Sequence, residues 1–234
     1  MSMPPESTEP LPFPADWSSA LVLVPHPDDP EYGIAAAAAK WTASGKTVRY
    51  ALACRGEAGI AGMAPEQAGP IREAEQRRAA AAVGIDPVTG VDFWDFPDGE
   101  IRNTAELRAK IASVITEARP DVVVAVYGAT EFAPGMPNHR DHIEFAAAVN
   151  DAWDGLHDKP RWLFQGGPAP THVETVDGHL DAAVASLAAH EVYLSVLDPA
   201  TPVGEQARRV VEMTTSSHAG CRVAGFILQR STDR

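Results

Sequence analysis

The sequence has only two cysteines among 234 residues, Cys54 and Cys221, and each lies in an apolar run typical of a strand. This spacing argues against a disulfide framework and against a zinc site built from thiolates. Long hydrophobic runs are also missing, and no stretch approaches the roughly 20 apolar residues of a membrane span. We therefore expect no membrane span and a cytoplasmic location.

Basic residues are few: 19 Lys and Arg stand against 32 Asp and Glu, which gives a net charge of −13. A nucleic-acid partner needs concentrated positive charge, so the composition predicts that the protein does not bind nucleic acid. An acidic chain is better suited to a neutral or cationic small molecule. The oligomeric state stays open, and a homo-oligomer is compatible with the sequence.

The composition, with 45% hydrophobic and 22% charged residues, is typical of a globular protein. Residues 1–18 differ because they hold five prolines and three acidic residues without the apolar core of a signal peptide. We interpret residues 1–18 as a proline-rich N-terminal tail. Residues 19–234 contain no internal repeat or linker, which predicts one α/β domain.

A polar cluster follows the first predicted strand, Leu21 to Val24. Three prolines end this strand abruptly, and the turn carries one imidazole and three carboxylates, namely His26, Asp28, Asp29 and Glu31. Imidazole nitrogen and carboxylate oxygen are ligands for zinc, and a neighbouring unligated carboxylate can act as a base. The alternative is that Asp28 or Asp29 only caps the next helix.

The order of elements predicts a parallel sheet. A helix over Ile34–Ser44 and a strand over Thr47–Cys54 complete a βαβ unit. The apolar run Asp121–Tyr127 is typical of a strand in the middle of such a sheet. Pro70 predicts the start of a helix over Ile71–Val83, and Asn103 with Glu106 forms a capping pair that predicts the start of another. Further helices are predicted from Ile143, over Leu180–Leu197 and over Val203–Met213. Further strands are predicted over Val91–Trp94, Arg161–Phe164, His172–Val176 and Cys221–Leu228.

A second polar cluster, Asn138-His139-Arg140-Asp141-His142, follows the strand Asp121–Tyr127 and a loop rich in glycine and proline. In a parallel sheet, the carboxyl ends of the strands meet at one edge, so the two clusters can converge. His26 and His142 with one carboxylate would supply three metal ligands and leave a position open for water.

These motifs resemble the LmbE-like, PIG-L family of zinc-dependent N-deacetylases. The matching residues are Pro25-His26-Pro27-Asp28-Asp29 with Glu31 and Gly33, and His139-Arg140-Asp141-His142; between them lie Arg55-Gly56-Glu57-Ala58-Gly59, Arg72 with Glu75, and Asp98-Gly99. The resemblance implies a Rossmann-like three-layer α/β sandwich with a mostly parallel central sheet. It also implies hydrolysis of an N-acetyl group on an amino-sugar-type small molecule, with a Zn²⁺ cofactor.

The resemblance also implies roles for single residues. It assigns the zinc ligands to His26, Asp29 and His142. It makes Asp28 the general base, and His139 the group that stabilises the oxyanion or protonates the leaving amine.

Other site residues implied by the resemblance are Asp141, which would orient an imidazole, and Arg72, Asp95 and Asp98, which would contact the substrate. The chain departs from the family at His190-Glu191-Val192, where many members carry His-Ser-Gln. We therefore interpret His190 as a packed helical residue.

Several alternatives stay open. A nucleotide-binding Rossmann protein would need glycines in place of the prolines and carboxylates after the first strand. A magnesium phosphotransferase with Asp28 as nucleophile conflicts with two histidines at the site. A zinc amidase for a larger acyl group or a thiol conjugate would use the same metal centre. A non-catalytic sugar-binding relative or a structural metal site would have no use for Asp28 as a base. Iron, cobalt or nickel could replace zinc.

Overall fold

The computed structural model describes residues 9–233. The strands are β1 (Leu11–Pro12), β2 (Ser19–Val24), β3 (Thr47–Leu52), β4 (Val91–Phe93), β5 (Val122–Ala125), β6 (Glu131–Ala133), β7 (Met136–Pro137), β8 (Trp162–Gly166), β9 (His172–Thr175), β10 (Thr215–His218) and β11 (Cys221–Ser231). The α-helices are α1 (Ala35–Ala43), α2 (Pro65–Ala82), α3 (Ala105–Ala118), α4 (Arg140–Gly155), α5 (Leu180–Ala188), α6 (Glu191–Leu197) and α7 (Val203–Thr214). A 3₁₀ turn covers Asp29–Tyr32.

The central sheet has the strand order β1-β9-β11-β8-β5-β2-β3-β4, with β10 paired to β11. Strands β4, β3, β2, β5 and β8 are parallel, whereas β11 runs antiparallel to its neighbours β8 and β9. The prediction of an α/β fold with a mostly parallel sheet is confirmed. The interior position predicted for the strand within Asp121–Tyr127 is also confirmed, because β5 lies between β2 and β8 and is fully buried.

The strand order creates a crevice at the carboxyl ends of β2 and β5. From β2 the chain first builds β3 and β4 on one side, and then crosses to build β5 and β8 on the other. Helices α1, α2, α5, α6 and α7 contact one another as one layer, and α3 packs with α4. Because right-handed crossovers in opposite directions put helices on opposite faces, the two groups sandwich the sheet. Ligands of such folds bind where the order reverses.

The N-terminal segment from Leu11 belongs to the fold, which corrects the predicted tail of residues 1–18. Strand β1 pairs in parallel with β9. Phe13 and Trp17 are each only 6% exposed. The centroid of the Phe13 ring lies 4.6 Å from that of Phe164 and 5.1 Å from that of Trp41. Prolines are tolerated in such a short edge strand, so the proline content misled the prediction. Residues 1–8 of the predicted tail lie outside the described residues.

Two helix starts differ from the predictions. Helix α2 begins at Pro65, so Pro70 lies inside the helix and does not open it. Pro65 also fits the first helical position, and a choice between two prolines cannot be made from one sequence. Helix α3 is capped by Thr104, whose Oγ1 accepts the N–H of Leu107 at 3.2 Å. The predicted cap, Asn103, lies one residue too early.

The predicted helix over 180–197 is two helices, α5 and α6, bent by 78°. His190 lies at the break, before the first residue of α6. Within residues 9–233 no single helix is long and apolar enough to cross a membrane, although α5 and α6 together have the length and composition despite their bend. Strand β10 was not predicted, because its sequence Thr-Ser-Ser-His lacks an apolar alternation.

Candidate metal centre

The two polar clusters meet in the crevice. His26 follows β2, Asp29 begins the 3₁₀ turn, and His139 and His142 begin α4 beyond the β6–β7 hairpin. The structure therefore brings together residues from both halves of the chain, as the parallel sheet predicts. We call His26, Asp29, His139, Asp141 and His142 the His–Asp cluster.

Asp29 joins two imidazoles of the cluster. Its Oδ1 lies 3.0 Å from His142 Nε2, and its Oδ2 lies 3.3 Å from His26 Nδ1. The Oδ2 atom also accepts the backbone N–H of His26 at 2.8 Å. Burial alone would raise the pKa of Asp29, but the adjacent His142 and His26 rings hold it well below its usual range. Asp29 is therefore a carboxylate shared by two nitrogen donors.

The second ring nitrogen of His26 lies next to two more carboxylates. Its Nε2 lies 3.2 Å from Asp141 Oδ2 and 3.3 Å from Asp98 Oδ1. Burial favours the neutral ring, but the carboxylates of Asp141 and Asp29 outweigh it and raise the pKa of His26 to about 10. Contacts at Nε2 leave Nδ1 as the nitrogen that faces Asp29. The site thus concentrates negative charge around an imidazole.

Asn138 aligns both histidines of the second cluster. Its Oδ1 accepts the backbone N–H of His139 at 2.8 Å and lies 3.1 Å from His142 Nδ1. Its amide N–H groups donate to the carbonyl oxygens of Tyr127 and Ala129, both at 2.8 Å. Asn138 therefore anchors the start of α4 to the loop after β5, and leaves His142 Nε2 free to face Asp29.

The exposed His139 ring lies next to the other two imidazoles, with its centroid 5.1 Å from that of His26 and 5.5 Å from that of His142. Partial burial lowers the pKa of His139, and the neighbouring His26 charge adds to the shift. The ring is therefore accessible from the crevice, where a ligand can reach it.

Asp28 lies beside the cluster with its side chain bound to Arg72. The Arg72 Nη2 group donates to the Pro27 carbonyl at 2.6 Å and lies 3.1 Å from Asp28 Oδ1. Burial raises the pKa of Asp28 to about 6, although the Arg72 charge opposes the shift. Arg72 itself is 3% exposed and stacks on Tyr193, with 3.9 Å from the guanidinium carbon to the ring centroid. The structure thus places Arg72 behind Asp28, although the sequence suggested a substrate contact.

The two acidic residues predicted to contact substrate have different surroundings. Asp98 lies at the cluster, and its second oxygen accepts the backbone N–H of Ala58 at 2.9 Å. The Asp95 side chain is 88% exposed and pairs with Arg55 at 3.3 Å. Asp95 is therefore placed with Arg55 on the surface and not with the His–Asp cluster.

The donor set fits a divalent cation. One donor atom from each of His26, His139 and His142 lies within 4.8 Å of the other two. The 3.3 Å and 3.0 Å contacts of Asp29 are close to the separation of about 3.3 Å that two tetrahedral zinc ligands have at bond lengths near 2.0–2.1 Å. The group of donors thus contains His26 and His142 of the predicted set together with His139, and Asp29 contacts the first two through different carboxylate oxygens.

A second group of donors, His26, Cys54 and Asp98, also lies within 4.8 Å. The Cys54 thiol donates to the Pro25 carbonyl, with sulfur and oxygen 3.2 Å apart, and burial raises the pKa of this thiol. A metal-binding cysteine must lose its proton, so this group is the weaker candidate.

Sequence reasoning missed three supporting contacts. Asn138 had a signal, because it directly precedes His139 in the polar cluster. Gly99 donates its N–H to Asp141 Oδ2 at 2.8 Å, and Gln76 accepts the N–H of Asp28 at 2.7 Å. No spacing rule points to Gln76, which lies in the middle of an ordinary helix.

The fold and the cluster define a Rossmann-like α/β protein with a candidate metal centre at the switch point of its sheet. The family of PIG-L proteins, described as GlcNAc-PI de-N-acetylase, matches residues 21–153. The match covers more than half of the chain and contains all residues of the His–Asp cluster. This chain belongs to the PIG-L family.

Two curated relatives are named as deacetylases. Diacetylchitobiose deacetylase of Thermococcus kodakarensis is 29% identical over 163 residues, which cover 69% of this chain and 59% of that protein. The Bacillus anthracis protein named "Probable N-acetyl-alpha-D-glucosaminyl L-malate deacetylase 2" is 30% identical over 149 residues, covering 62% of this chain and 63% of that protein. The chain thus matches less than two thirds of each relative's length.

A solved structure has the same fold over nearly the whole chain. The conserved protein TT1542 from Thermus thermophilus superposes with a TM-score of 0.70 at 25% identity, covering 91% of this chain and 95% of that one. The match extends beyond the residues of the family match, and includes the C-terminal part of the fold.

Proposed function

We propose that this protein is a metal-dependent N-deacetylase, with zinc as the metal, that hydrolyses the acetamide of an amino-sugar-type small molecule. The observation that carries the proposal is the position of Asp29 between His26 and His142, at 3.3 Å and 3.0 Å. Membership of the PIG-L family and the two relatives named as deacetylases support the reaction and the substrate class.

His26, Asp29 and His142 would hold the metal. A divalent metal supplies a Lewis acid that polarises the acetyl carbonyl and increases the acidity of water. Asp141 would support the site from behind, because its contact with His26 Nε2 fixes the direction of the ring.

Asp28 is the proposed general base and takes the proton of the attacking water. It follows His26 by two residues and precedes Asp29, so its carboxylate is beside the ligand set without being shared between the imidazoles. Arg72 holds one carboxylate oxygen at 3.1 Å and restricts its movement. A positioned base of this kind contributes typically ~10²–10⁴-fold in rate.

His139 is the proposed partner of the developing negative charge and of the leaving amine. Its exposed ring next to His26 and His142 can donate a hydrogen bond to the oxygen of the tetrahedral species, or a proton to the amine nitrogen. The reaction needs no covalent bond to the protein.

A second candidate function is an amidase for a larger, apolar acyl group. Phe132 and Met136, on the β6–β7 hairpin, are 40% and 60% exposed. The Phe132 ring centroid lies 6.3 Å from that of His142. The exposed Phe132 ring beside the cluster favours a substrate with an apolar part near the scissile bond.

The test combines elemental analysis with measurement of amine release. The substrates are N-acetylglucosamine, N,N′-diacetylchitobiose and an N-acylglucosamine with a longer chain. We expect about one zinc per chain, and release that a chelator abolishes and zinc restores. We expect His142→Ala to lose the metal, and Asp28→Asn to keep it but to lose at least about 100-fold in kcat.

The matched control is His157→Ala, because the His157 side chain is 98% exposed and pairs with Asp158 at the surface. This variant should retain both metal and activity. Preferred hydrolysis of the longer acyl group would favour the second candidate. A chain that binds no zinc, or that releases no amine when loaded, contradicts the proposal.

A further inference from the structure

Asp28 has an unusual backbone conformation. Its φ and ψ are 80° and −23°, in the left-handed region that residues other than glycine rarely adopt. Aspartate tolerates this region better than most residues, but surrounding contacts must still favour it. Asp28 immediately precedes the 3₁₀ turn that starts at Asp29.

Helix α2 holds this residue with two side chains from one of its faces. Gln76 Oε1 accepts the backbone N–H of Asp28 at 2.7 Å, and Arg72 Nη2 lies 3.1 Å from Asp28 Oδ1. Arg72 and Gln76 are four residues apart and therefore lie one above the other on the helix. The main chain and the side chain of Asp28 are thus fixed by separate anchors on one rigid element.

The other end of the Gln76 amide faces a buried carboxylate. Gln76 Nε2 donates to Glu31 Oε1 and Oε2 at 3.3 Å and 3.4 Å. Because the backbone N–H of Asp28 can only donate, the amide oxygen of Gln76 must face Asp28, and its NH₂ group then faces the carboxylate oxygens of Glu31.

Glu31 is held in turn by a hydrogen bond from α5, and the ring of the residue that precedes α6 lies next to it. Ser186 Oγ donates to Glu31 Oε1 at 2.9 Å, and His190 Nε2 lies 3.4 Å from Glu31 Oε2. Gln76, Glu31, Ser186 and His190 are each no more than 1% exposed. We call these four residues the Glu31 network. None of them faces the crevice, so the network has no direct access to a substrate.

We propose that Gln76 is a positioning residue, which acts through the backbone of Asp28 while the other end of its amide is bound to the carboxylate of Glu31. The inference rests on the proposed function, in which Asp28 is the general base. A buried glutamine that only filled space in α2 would not need its amide oxygen on the N–H of the one residue in this turn with a left-handed conformation.

The main variant is Gln76→Met, which keeps the length of the side chain and removes its hydrogen bonds to Asp28 and Glu31. We expect kcat to fall at least tenfold, with KM and zinc content unchanged. The matched control is Ser186→Ala, which removes another contact to Glu31 without touching Asp28 and should reduce kcat less than threefold. An unchanged kcat in a folded Gln76→Met protein would falsify the inference.

A second variant tests the inference if Gln76→Met does not fold well. Gln76→Glu in its protonated form retains an oxygen for the Asp28 N–H and a donor for Glu31, so we expect its kcat within threefold of the wild type. If folded Gln76→Glu is as slow as Asp28→Asn, the inference is wrong.

A double-mutant cycle distinguishes positioning from general loss of structure. In the Asp28→Asn background, Gln76→Met should slow the residual reaction by less than twofold, because the base on which it acts is already lost. A repeated tenfold loss in that background means a structural role and overturns the inference.

Hydrogen exchange of the Asp28 amide gives a readout that needs no activity. We expect at least tenfold faster exchange in Gln76→Met and no such change in Ser186→Ala. If the wild-type protein is inactive when loaded with zinc, the proposed function is wrong, and this inference is wrong with it. An active wild type with unchanged exchange and unchanged kcat in Gln76→Met removes this inference alone.

Discussion

Asp29 and His142 come from opposite halves of the chain, and their side chains meet with 3.0 Å between Oδ1 and Nε2. The contact joins the turn after β2 to the first turn of α4. The same carboxylate also contacts His26 Nδ1 at 3.3 Å, so Asp29 links an imidazole of each polar cluster.

Asp29→Asn should reduce zinc affinity at least about 100-fold, because the amide keeps the shape of the side chain but loses the charge that a divalent cation requires. Affinity can be measured by competition with a chromogenic chelator. The control is Asp95→Asn, since the Asp95 side chain is 88% exposed and pairs with Arg55. Equal affinities in the two variants would show that Asp29 is not a ligand.

Phe132→Ala should increase KM about three- to tenfold without changing zinc content. The Phe132 ring is 40% exposed, stacks on Tyr127 with 5.7 Å between centroids, and faces the crevice beside His142. An aromatic contact of this kind contributes roughly 0.5–1.5 kcal/mol.

Steady-state kinetics with short and long acyl groups test the role of Phe132, and Val88→Ala, at a side chain 76% exposed on another loop, is the control. A larger KM increase for the longer acyl group would support the second candidate function. A change in kcat alone would contradict a role in binding.

The convergence of the two clusters could be predicted because it follows from topology. A proline-terminated strand before His26 and a continuous apolar strand before the second cluster both end at the same edge of a parallel sheet. The buried support of Asp28 could not be predicted. Gln76, Ser186 and His190 are brought together by the packing of α2 against α5 and by the bend at His190, and neither leaves a periodic signal.

Helix boundaries failed for local reasons. Pro65 and Pro70 both satisfy the rule for the first helical position, and only the extended Ala64 before Pro65 decides between them.

The structure of the N-terminal segment could not be predicted for a different reason. Composition described residues 1–18 as a tail, whereas burial of Phe13 and Trp17 depends on an aromatic pocket that forms only in the folded protein.

Phe13→Ala should lower the free energy of unfolding by about 3 kcal/mol. This is the lower end of the range of about 3–5 kcal/mol for replacing a buried phenylalanine by alanine. The Phe13 ring lies 4.6 Å from Phe164 and 4.8 Å from Phe226. Leu11→Ala is the control, because Leu11 is 60% exposed in the same segment and should change stability by less than about 0.5 kcal/mol. Chemical denaturation measures both changes in the free energy of unfolding. Equal small changes would mean that the segment around Phe13 does not contribute to the stability of the fold.

Asp121 gives stability a pH dependence that can be tested at the opposite end of β5 from the candidate metal centre. Its Oδ2 accepts the backbone N–H groups of Ser18 and Ser19 at 2.7 Å and 3.0 Å, which ties the start of β2 to the residue before β5. Burial would raise the pKa of Asp121, but these hydrogen bonds outweigh it and hold the pKa below its ordinary value.

A carboxyl group whose pKa is lower in the folded protein stabilises the fold above its unfolded pKa of about 3.9, and this contribution disappears as the pH falls through the folded pKa. Asp121→Asn should therefore reduce the Tm at pH 7, and the difference from the wild type should shrink below about pH 4. Asp181→Asn is the control, because the Asp181 side chain is 94% exposed. A Tm difference that stays constant between neutral and acidic pH would mean that the Asp121 charge does not stabilise this junction, and that the shape of the side chain alone connects β2 to β5.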